Sequence, residues 1–583
     1  MTCSSSTTSA PERLRRSRLA AVALLAAALA GPGLAAEPGA DLIVRARQAL
    51  AQRDGIAAEV DLRRALAAGA PREAVAAYLG QAYLEQDVPE RAREWLEPGR
   101  FTPDTAAQGF RSLARLERAE GDLAAAGRAF DRAMAITPRD ATMWVEIGRL
   151  RYAGGEHMLA IDACDYALKL DPDNVRALEF KGQLVRDSRG LVAALPWFES
   201  ALRHHPRDVS VLGEYAATLG DLGRAKKMLA TTRLMLSIEP GNPRAYFLQA
   251  VLAARAGKVD LARGLLVRTE GKLGKVPAAR LLEGVLEMGA GNHRLAAEAL
   301  SGLTRAQPAN GRAALLLARA YALAGENRLV VHDYADAAAR ADASPYLLAL
   351  VARAHEADGR RDLAAPLLDR AATPRRPAVF PVVESEFGGL LAAGRADAAR
   401  VAAERDVAAN PGSAFSQTAA GDVRLAAGDG AGAMRHYRLA AYVRLSESLL
   451  LRMVAASLQA GQSADASALV AGFLAMNPAD RTALRMTAGE AAAAGDWPRA
   501  RLLLEALRAG GIAGDVELLA DLSFAQLRAG DATAAEATAR EAYALQRGSA
   551  VAAGAWGLSL EALGQRARAR ALLDKSRRML AAR

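Results

Sequence analysis

A glycine recurs about every 34 residues through most of the chain. Glycine adopts the left-handed conformation that ends a helix at the least cost, so the series predicts a turn between two helices in every unit. Arg189 stands where the third glycine of the first phase would come. The series comprises Gly121, Gly155, Gly223, Gly257, Gly291, Gly325 and Gly359, and then, after small slips, Gly394, Gly428, Gly461, Gly495, Gly530 and Gly564.

Two further markers keep the same spacing. Prolines such as Pro138, Pro172 and Pro206 close successive units, since proline stops a helix. Small residues recur where two helices would press together, with Gly148 and Gly182 in the first helix of a unit. The pattern therefore predicts an array of helix-turn-helix units.

Composition agrees with closely packed helices. Of the 583 residues 51% are hydrophobic and only 5% aromatic, so alanine and leucine must fill the core. Sheets favour aromatic and β-branched residues, which makes strand-rich folds a poor fit. An array can also run to this length as one continuous body.

These units resemble tetratricopeptide repeats, most closely in residues 140–173 and in the neighbouring stretches 107–140 and 175–208. We count about sixteen units after residue 39, with degenerate units at the start and in the later part. The resemblance implies an all-α fold, an α-solenoid wound as a right-handed superhelix. It also implies that the first helix of each unit lines a concave groove.

The first 36 residues have the pattern of a secretory signal peptide. Arginines at positions 13 to 18 precede an apolar run from Leu19 to Ala30, and Ala35 and Ala36 supply the small residues of a cleavage site. The run is shorter than the roughly 20 residues of a membrane-spanning helix, so we expect no transmembrane segment after cleavage, although an uncleaved anchor is the alternative. The mature protein is then periplasmic or secreted, with peripheral attachment to the outer membrane as an option.

A proline-rich stretch divides the predicted array. Residues 373–381 contain three prolines and coincide with a slip in the glycine spacing, which predicts a joint. The predicted organisation is a signal peptide at 1–36, an N-terminal solenoid at 37–372, the joint at 373–381, and a more degenerate solenoid at 382–583.

The residue patterns do not predict an enzyme, a metal site or a cofactor. The histidines are scattered without a second ligand at metal-binding spacing. Gly271–Lys275 has glycine and lysine like a phosphate loop, but at the wrong spacing and without the following Ser or Thr. Cys164 lies at an inward position and is interpreted as a small core residue.

The resemblance assigns a set of residues to the concave groove. Arginines there suit carboxylates or other anions, and apolar residues beside them suit an extended polypeptide. The alternative is that the arginine stems lie over alanine-rich helix surface while carboxylates of the same helix pair with their heads. The predicted binding residues are Arg111, Arg115, Arg118, Arg149, Tyr152, Arg176, Arg186, Phe247, Arg312, Arg319 and Arg353.

The predicted function is a non-catalytic scaffold or adaptor in the bacterial cell envelope that binds other proteins along this groove. Residues 46–50, 62–66 and 69–73 are similar to exported tetratricopeptide proteins of exosortase and exopolysaccharide systems, although Glu37 stands where those have a lipidated cysteine. A part in exopolysaccharide or protein export is therefore expected. The alternative is a soluble periplasmic partner of an outer-membrane polysaccharide exporter that binds anionic polymer directly. Nucleic acid is not expected, because aromatic residues are not interleaved with the arginines.

Overall fold

The computed structural model describes residues 39–308, 310–340, 343–372, 386–510 and 515–581. Within these residues the chain forms 32 α-helices in repeated pairs and no strand. Its contacts divide it into two units, Met1–Met143 and Trp144–Arg583. The first unit holds α1 (Ala40–Ala51), α2 (Gly55–Ala67), α3 (Arg72–Glu85), α4 (Pro89–Leu96), α5 (Ala106–Glu120) and α6 (Leu123–Ile136).

The unit border falls inside α7 (Ala141–Ala153), and all later helices belong to the second unit. Odd numbers mark the first helix of each hairpin and even numbers mark the second. Up to residue 372 they are α8 (His157–Leu170), α9 (Val175–Arg189), α10 (Leu191–His204), α11 (Val209–Asp221), α12 (Ala225–Ile238), α13 (Pro243–Arg255), α14 (Val259–Val267), α15 (Pro277–Gly289), α16 (His293–Ala306), α17 (Gly311–Leu323), α18 (Asn327–Ala339), α19 (Pro345–Ala357) and α20 (Arg361–Ala372).

The hairpins continue in the same order after residue 385. The helices are α21 (Glu386–Ala392), α22 (Ala396–Ala409), α23 (Ala414–Ala426), α24 (Gly430–Val443), α25 (Glu447–Gln459), α26 (Ser463–Met476), α27 (Arg481–Ala493), α28 (Trp497–Ala509), α29 (Val516–Arg528), α30 (Ala532–Leu545), α31 (Ala550–Ala562) and α32 (Arg566–Ala581). The described helices thus make sixteen hairpins, which confirms the predicted all-α solenoid class.

The turn inside each hairpin is built by local sequence. Gly121 has φ +91° and Gly155 has φ +84°, the left-handed conformation that the glycine spacing predicted. The Asp after the glycine caps the second helix, as where Asp122 Oδ1 accepts from the Ala125 N–H at 2.8 Å. Both features recur along the chain, so the turns repeat because their sequences repeat.

The turn between α9 and α10 differs from the others. Arg189 closes α9 and the following residue, Gly190, takes the positive φ of +98°. This turn thus also has a glycine, one residue later, but its ψ of 177° differs from the ψ of −1° that Gly121 has in its turn.

Packing inside a hairpin depends on a small residue facing a large one. A Cβ on Gly182 would lie 2.5 Å from the ring of Phe198, and one on Gly421 would lie 2.3 Å from the ring of Tyr437. The second-helix ring thus fills the space above the first-helix glycine. This contact is the reason for glycine at positions 182 and 421.

Two sequence predictions fall outside the described residues. The signal peptide at 1–36 precedes residue 39, and the joint at 373–381 lies between α20 and α21. Among the described helices, none is both long enough and apolar enough to cross a membrane.

Candidate binding surface

The first helices place two equivalent positions on one face. These are the second and ninth residues after the N-cap, two helical turns apart. From N-caps Asn174 to Ser344, the first row is Arg176, Ser210, Arg244, Ala278, Arg312 and Tyr346; the second row is Gln183, Ala217, Val251, Val285, Arg319 and Arg353, preceded by Arg149 on α7. Arg149 Nη1 donates to Gln183 Oε1 at 3.2 Å, so equivalent positions of adjacent first helices touch. We call these two rows the first-helix surface.

At its start this surface carries a chain of ion pairs across α7, α9 and α11. Glu179, which is buried, accepts from Arg176 Nη1 at 2.8 Å and lies 3.8 Å from Arg149 Nη2. Arg176 Nη2 also donates to Asp208 Oδ2 at 2.7 Å. Burial lowers the pKa of Arg176, but its bonds to Glu179 and Asp208 outweigh burial and the pKa is raised. Both arginines are therefore committed to carboxylates within the protein.

A second network joins α9, α11 and α13. The carboxylate of Glu214 accepts from Arg186 Nη1 at 2.8 Å through one oxygen and from Arg244 Nη2 at 2.7 Å through the other. Burial alone would raise the pKa of Glu214, but the charges and hydrogen bonds of Arg244 and Arg186 prevail and lower it. Glu214 stays ionised and holds three consecutive first helices together.

Tyr152 is also engaged. Its hydroxyl donates to Asp187 Oδ2 at 2.8 Å, and its ring packs edge-on against His157 with centroids 4.9 Å apart. Burial, with the charge of Asp187, raises the pKa of Tyr152, so the phenol remains a neutral donor.

In the first unit, the predicted arginines of α5 differ in exposure. Arg111 lies 3.7 Å from Asp140 Oδ2, and Arg115 Nη2 donates to Glu85 Oε1 at 3.3 Å. Arg118 is exposed. Of these three arginines, only Arg118, near the end of α5, is therefore an exposed residue.

Further along the second unit the first-helix surface becomes apolar and then open. Phe247 lies outside the two rows and is half-buried, packed against a core cluster that contains Leu195, Leu219 and Met228. Val285 on α15, by contrast, is 44% exposed and Ala278 beside it is exposed.

Arginines on α17 and α19 continue this open part. Arg312 and Arg319 are exposed, and no carboxylate of the described residues lies within ion-pair distance of either. Arg353 Nη1 donates to Glu356 at 2.9 Å, yet its side chain is 74% exposed. Tyr346 lies in the first row beside them and is 47% exposed. Three guanidinium groups and an aromatic ring are thus available to a partner.

A contact that the sequence pattern does not predict joins distant hairpins of the second unit. The Leu445 N–H donates to the Asp187 carbonyl at 2.8 Å, and the Leu191 N–H donates to Asn477 Oδ1 at 3.3 Å. The Ala414 N–H lies 3.5 Å from His157 Nδ1. We call this contact, between residues 155–191 and residues 410–477, the seam. Partners more than 250 residues apart leave no periodic signal in a sequence.

Cys164 is a buried free cysteine on α8. Burial raises the pKa of the Cys164 thiol to about 12, and its Sγ donates to the Ala177 carbonyl at 3.6 Å. The thiol therefore stays protonated inside α8. Over the ranges that the structure describes, no three His, Cys, Asp or Glu side chains are grouped to hold a metal ion.

A tetratricopeptide repeat family model matches residues 111–175, 145–209 and 211–271. This part of the protein therefore carries tetratricopeptide repeats, which are protein-interaction modules, and the helical hairpins on either side continue the architecture.

Solved structures with similar hairpins were also found. PilW, a type IV pilus biogenesis factor, is 17% identical with TM-score 0.30, over 35% of this chain and 94% of that one. Pseudomonas aeruginosa PilF is 22% identical with TM-score 0.27, over 33% and 87%. The Cut9–Hcn1 hetero-tetramer of APC/C is 14% identical with TM-score 0.32, over 90% and 96%. A comparison with curated proteins found no match.

Proposed function

We propose that this protein is a non-catalytic scaffold or adaptor of the bacterial cell envelope that holds partner proteins along its first-helix surface, in exopolysaccharide or protein export. The repeats support the scaffold role. The envelope location is supported by the basic, apolar and small-residue pattern of residues 13–36.

One observation directs the proposal to α15–α19. The row arginines of α7–α13 pair with the carboxylates of Glu179, Asp208 and Glu214. By contrast, the side chains of Arg312, Arg319 and Arg353 are exposed, and so are Val285 and Tyr346 in the same rows. A planar guanidinium binds a carboxylate through two parallel hydrogen bonds. The partner segment that fits is extended, with carboxylates and apolar side chains.

The other predicted residues have different parts in this proposal. Phe247 is half-buried and packs against the core cluster. Arg118 adds an open guanidinium in the first unit. The remaining predicted residues already have acceptors within the protein, so they bind a partner only when the partner's acceptors replace these. They are Arg111, Arg115, Arg149, Arg176, Arg186 and Tyr152.

The test is affinity capture from a bacterial envelope extract with the triple variant Arg312→Gln, Arg319→Gln and Arg353→Gln. The control changes Arg294, Arg328 and Arg361 to Gln, which removes the same charge from exposed positions in the second helices α16, α18 and α20. We expect partner affinity to fall about tenfold or more in the first variant only, since few contacts carry most binding energy. Equal capture by both variants contradicts the assignment of the surface.

The same guanidinium groups favour a second function, direct binding of an anionic polymer as a soluble partner of an outer-membrane polysaccharide exporter. Titration with a polyuronate separates the two. A polymer affinity that falls with salt and is lost in the first triple variant supports polymer binding. Protein capture without polymer affinity supports the scaffold.

A further inference from the structure

The seam connects turns of hairpins that are far apart in the second unit. On one side lie the start of α8, with His157, and the turn after α9, with Gly190. On the other side lie the turns before α23, α25 and α27, which contain Gly412, Leu445 and Asn477. Beside these turns, α9 contacts α24 and α10 contacts α26.

Side chains fit closely across this contact. A Cβ on Gly190 would lie 2.8 Å from Asn477 Nδ2 and from Met476 Cβ. A Cβ on Gly412 would lie 3.1 Å from Met158 Cβ. Both sides present glycine where the chains approach, so any larger residue would separate them.

Each side of the seam has an apolar cluster of its own. One contains Leu178, Phe198 and Val211 of α9–α11, and the other contains Leu425, Tyr437 and Met453 of α23–α25. Hydrogen bonds between turns exchange with water at little net gain, whereas the hairpins are held by apolar burial. The hydrogen bonds between the turns therefore contribute little to holding the seam closed.

Geometry allows the seam to part without unfolding. Each hairpin of a repeat array contacts its neighbours in sequence, so a small rotation at each joint accumulates along the array. The hairpins from α11 to α22 supply many such joints between the two sides. A large displacement at the seam then needs only a small change at each joint.

Parting would change the surroundings of three side chains at the edge of the first-helix surface. Burial, and then the charge of Arg444 across the seam, lower the pKa of His157. The same Arg444 charge acts on Tyr152, whose hydroxyl is bonded to Asp187. These groups face the opposite side of the seam while it is closed.

We propose that the seam is a releasable latch: the second unit exchanges between a closed form, with residues 155–191 resting on 410–477, and an open, extended form that uncovers Tyr152, His157 and Asp187. The latch is independent of whether α15–α19 binds a partner. It sets how far the early and late hairpins stand apart.

The test uses two matched turns. Gly412 in Asn410–Ser413 contacts Met158, whereas Gly241 in the corresponding turn Glu239–Asn242 has nothing within 4 Å of its Cβ position. Neither has a positive φ. Gly412→Leu should open the latch by overpacking, on the order of a tenfold shift towards the open form, and Gly241→Leu should not.

The readout is disulfide formation between Leu191→Cys and Asn477→Cys, in a full-length chain that also carries Cys3→Ser and Cys164→Ala. Without the leucine, this pair should oxidise readily under mild air oxidation and give a compact profile in small-angle scattering. Gly412→Leu should slow oxidation about tenfold and enlarge the radius of gyration, with unchanged helical circular dichroism.

Two results overturn the latch. If the pair Leu191→Cys and Asn477→Cys fails to oxidise, while Gly241→Leu and the parent chain are both folded, the closed form does not exist in solution. Equal oxidation rates and equal radii for Gly412→Leu and Gly241→Leu show that the seam does not part. Loss of helicity in Gly412→Leu is resolved by the milder Gly412→Ala, judged by the same two readouts.

Discussion

The second row begins with Arg149 on α7 and ends with Arg353 on α19, and the arginines at its two ends have different surroundings. Arg149 is held by Gln183 and Glu179 and lies over the Phe180 ring at 4.9 Å. Arg319 and Arg353 stand in solvent. Equivalent positions in one repeat array thus serve cohesion at one end and remain free to bind at the other.

The difference arises from carboxylates on neighbouring hairpins. Glu179 and Glu214 lie between arginines of adjacent first helices and neutralise them. At the corresponding level of α15–α19, leucines at positions 282, 316 and 350 replace glutamate at the position of Glu214. An arginine-rich row is therefore open to carboxylates of a partner only where neighbouring side chains do not pair with its arginines.

The largest effect should come from Glu214→Gln, which leaves Arg186 and Arg244 without a charged acceptor. We expect a loss of about 2 kcal/mol in the free energy of unfolding, less than for a fully buried pair because both guanidinium groups reach solvent. Urea unfolding followed by circular dichroism measures it. Glu356→Gln, which removes the partner of exposed Arg353, should stay within about 0.5 kcal/mol. If Glu214→Gln and Glu356→Gln lose the same free energy of unfolding, the arginine pairs of the two regions do not differ in their contribution to stability.

Glu214 should also make stability depend on pH. Its pKa is lowered in the folded protein, so its ion pairs contribute fully above the ordinary glutamate pKa and are lost as pH falls through the lowered value. Urea midpoints compared between about pH 6 and about pH 3 should therefore converge for the wild type and Glu214→Gln. If the difference in urea midpoint between the two proteins grows at the lower pH, the ion pairs of Glu214 do not cause the stabilisation.

A smaller effect should separate the two ends of the second row. Arg149→Gln removes contacts to Glu179 and Phe180 and should cost about 1 kcal/mol, whereas Arg319→Gln should change the unfolding free energy by less than about 0.5 kcal/mol. Both variants lose one charge from an equivalent position, so each is the control for the other. A larger cost for Arg319→Gln would mean that this residue has a structural role.

The smallest change in stability is expected when a carboxylate is introduced beside the unpaired arginines of α15–α19. Val285→Glu places a carboxylate at the position one repeat before Arg319 and should alter stability by about 0.3 kcal/mol. Partner capture should weaken because Arg319 gains an internal acceptor. Val285→Gln is the uncharged control, and an equal effect on capture by both would assign the loss to the valine and not to the charge.

Much of the fold could be predicted from the residues. The glycine series located the turns, Asp122 and its equivalents located the caps, and the small residues at 148 and 182 located the helix contacts. The binding surface could be predicted less well. The sequence pattern indicates pairing of arginines within one helix, yet Arg186 and Glu214 pair between hairpins, 28 residues apart.

Sequence by itself therefore determined the helical hairpins, because turns, caps and hairpin packing depend on residues close together along the chain. Only the tertiary structure decided which arginines are neutralised, since that depends on the register of side chains between neighbouring first helices. It alone also decided the seam, where Leu445 meets Asp187. Such a meeting results from small rotations summed over many hairpins, and no local pattern encodes that sum.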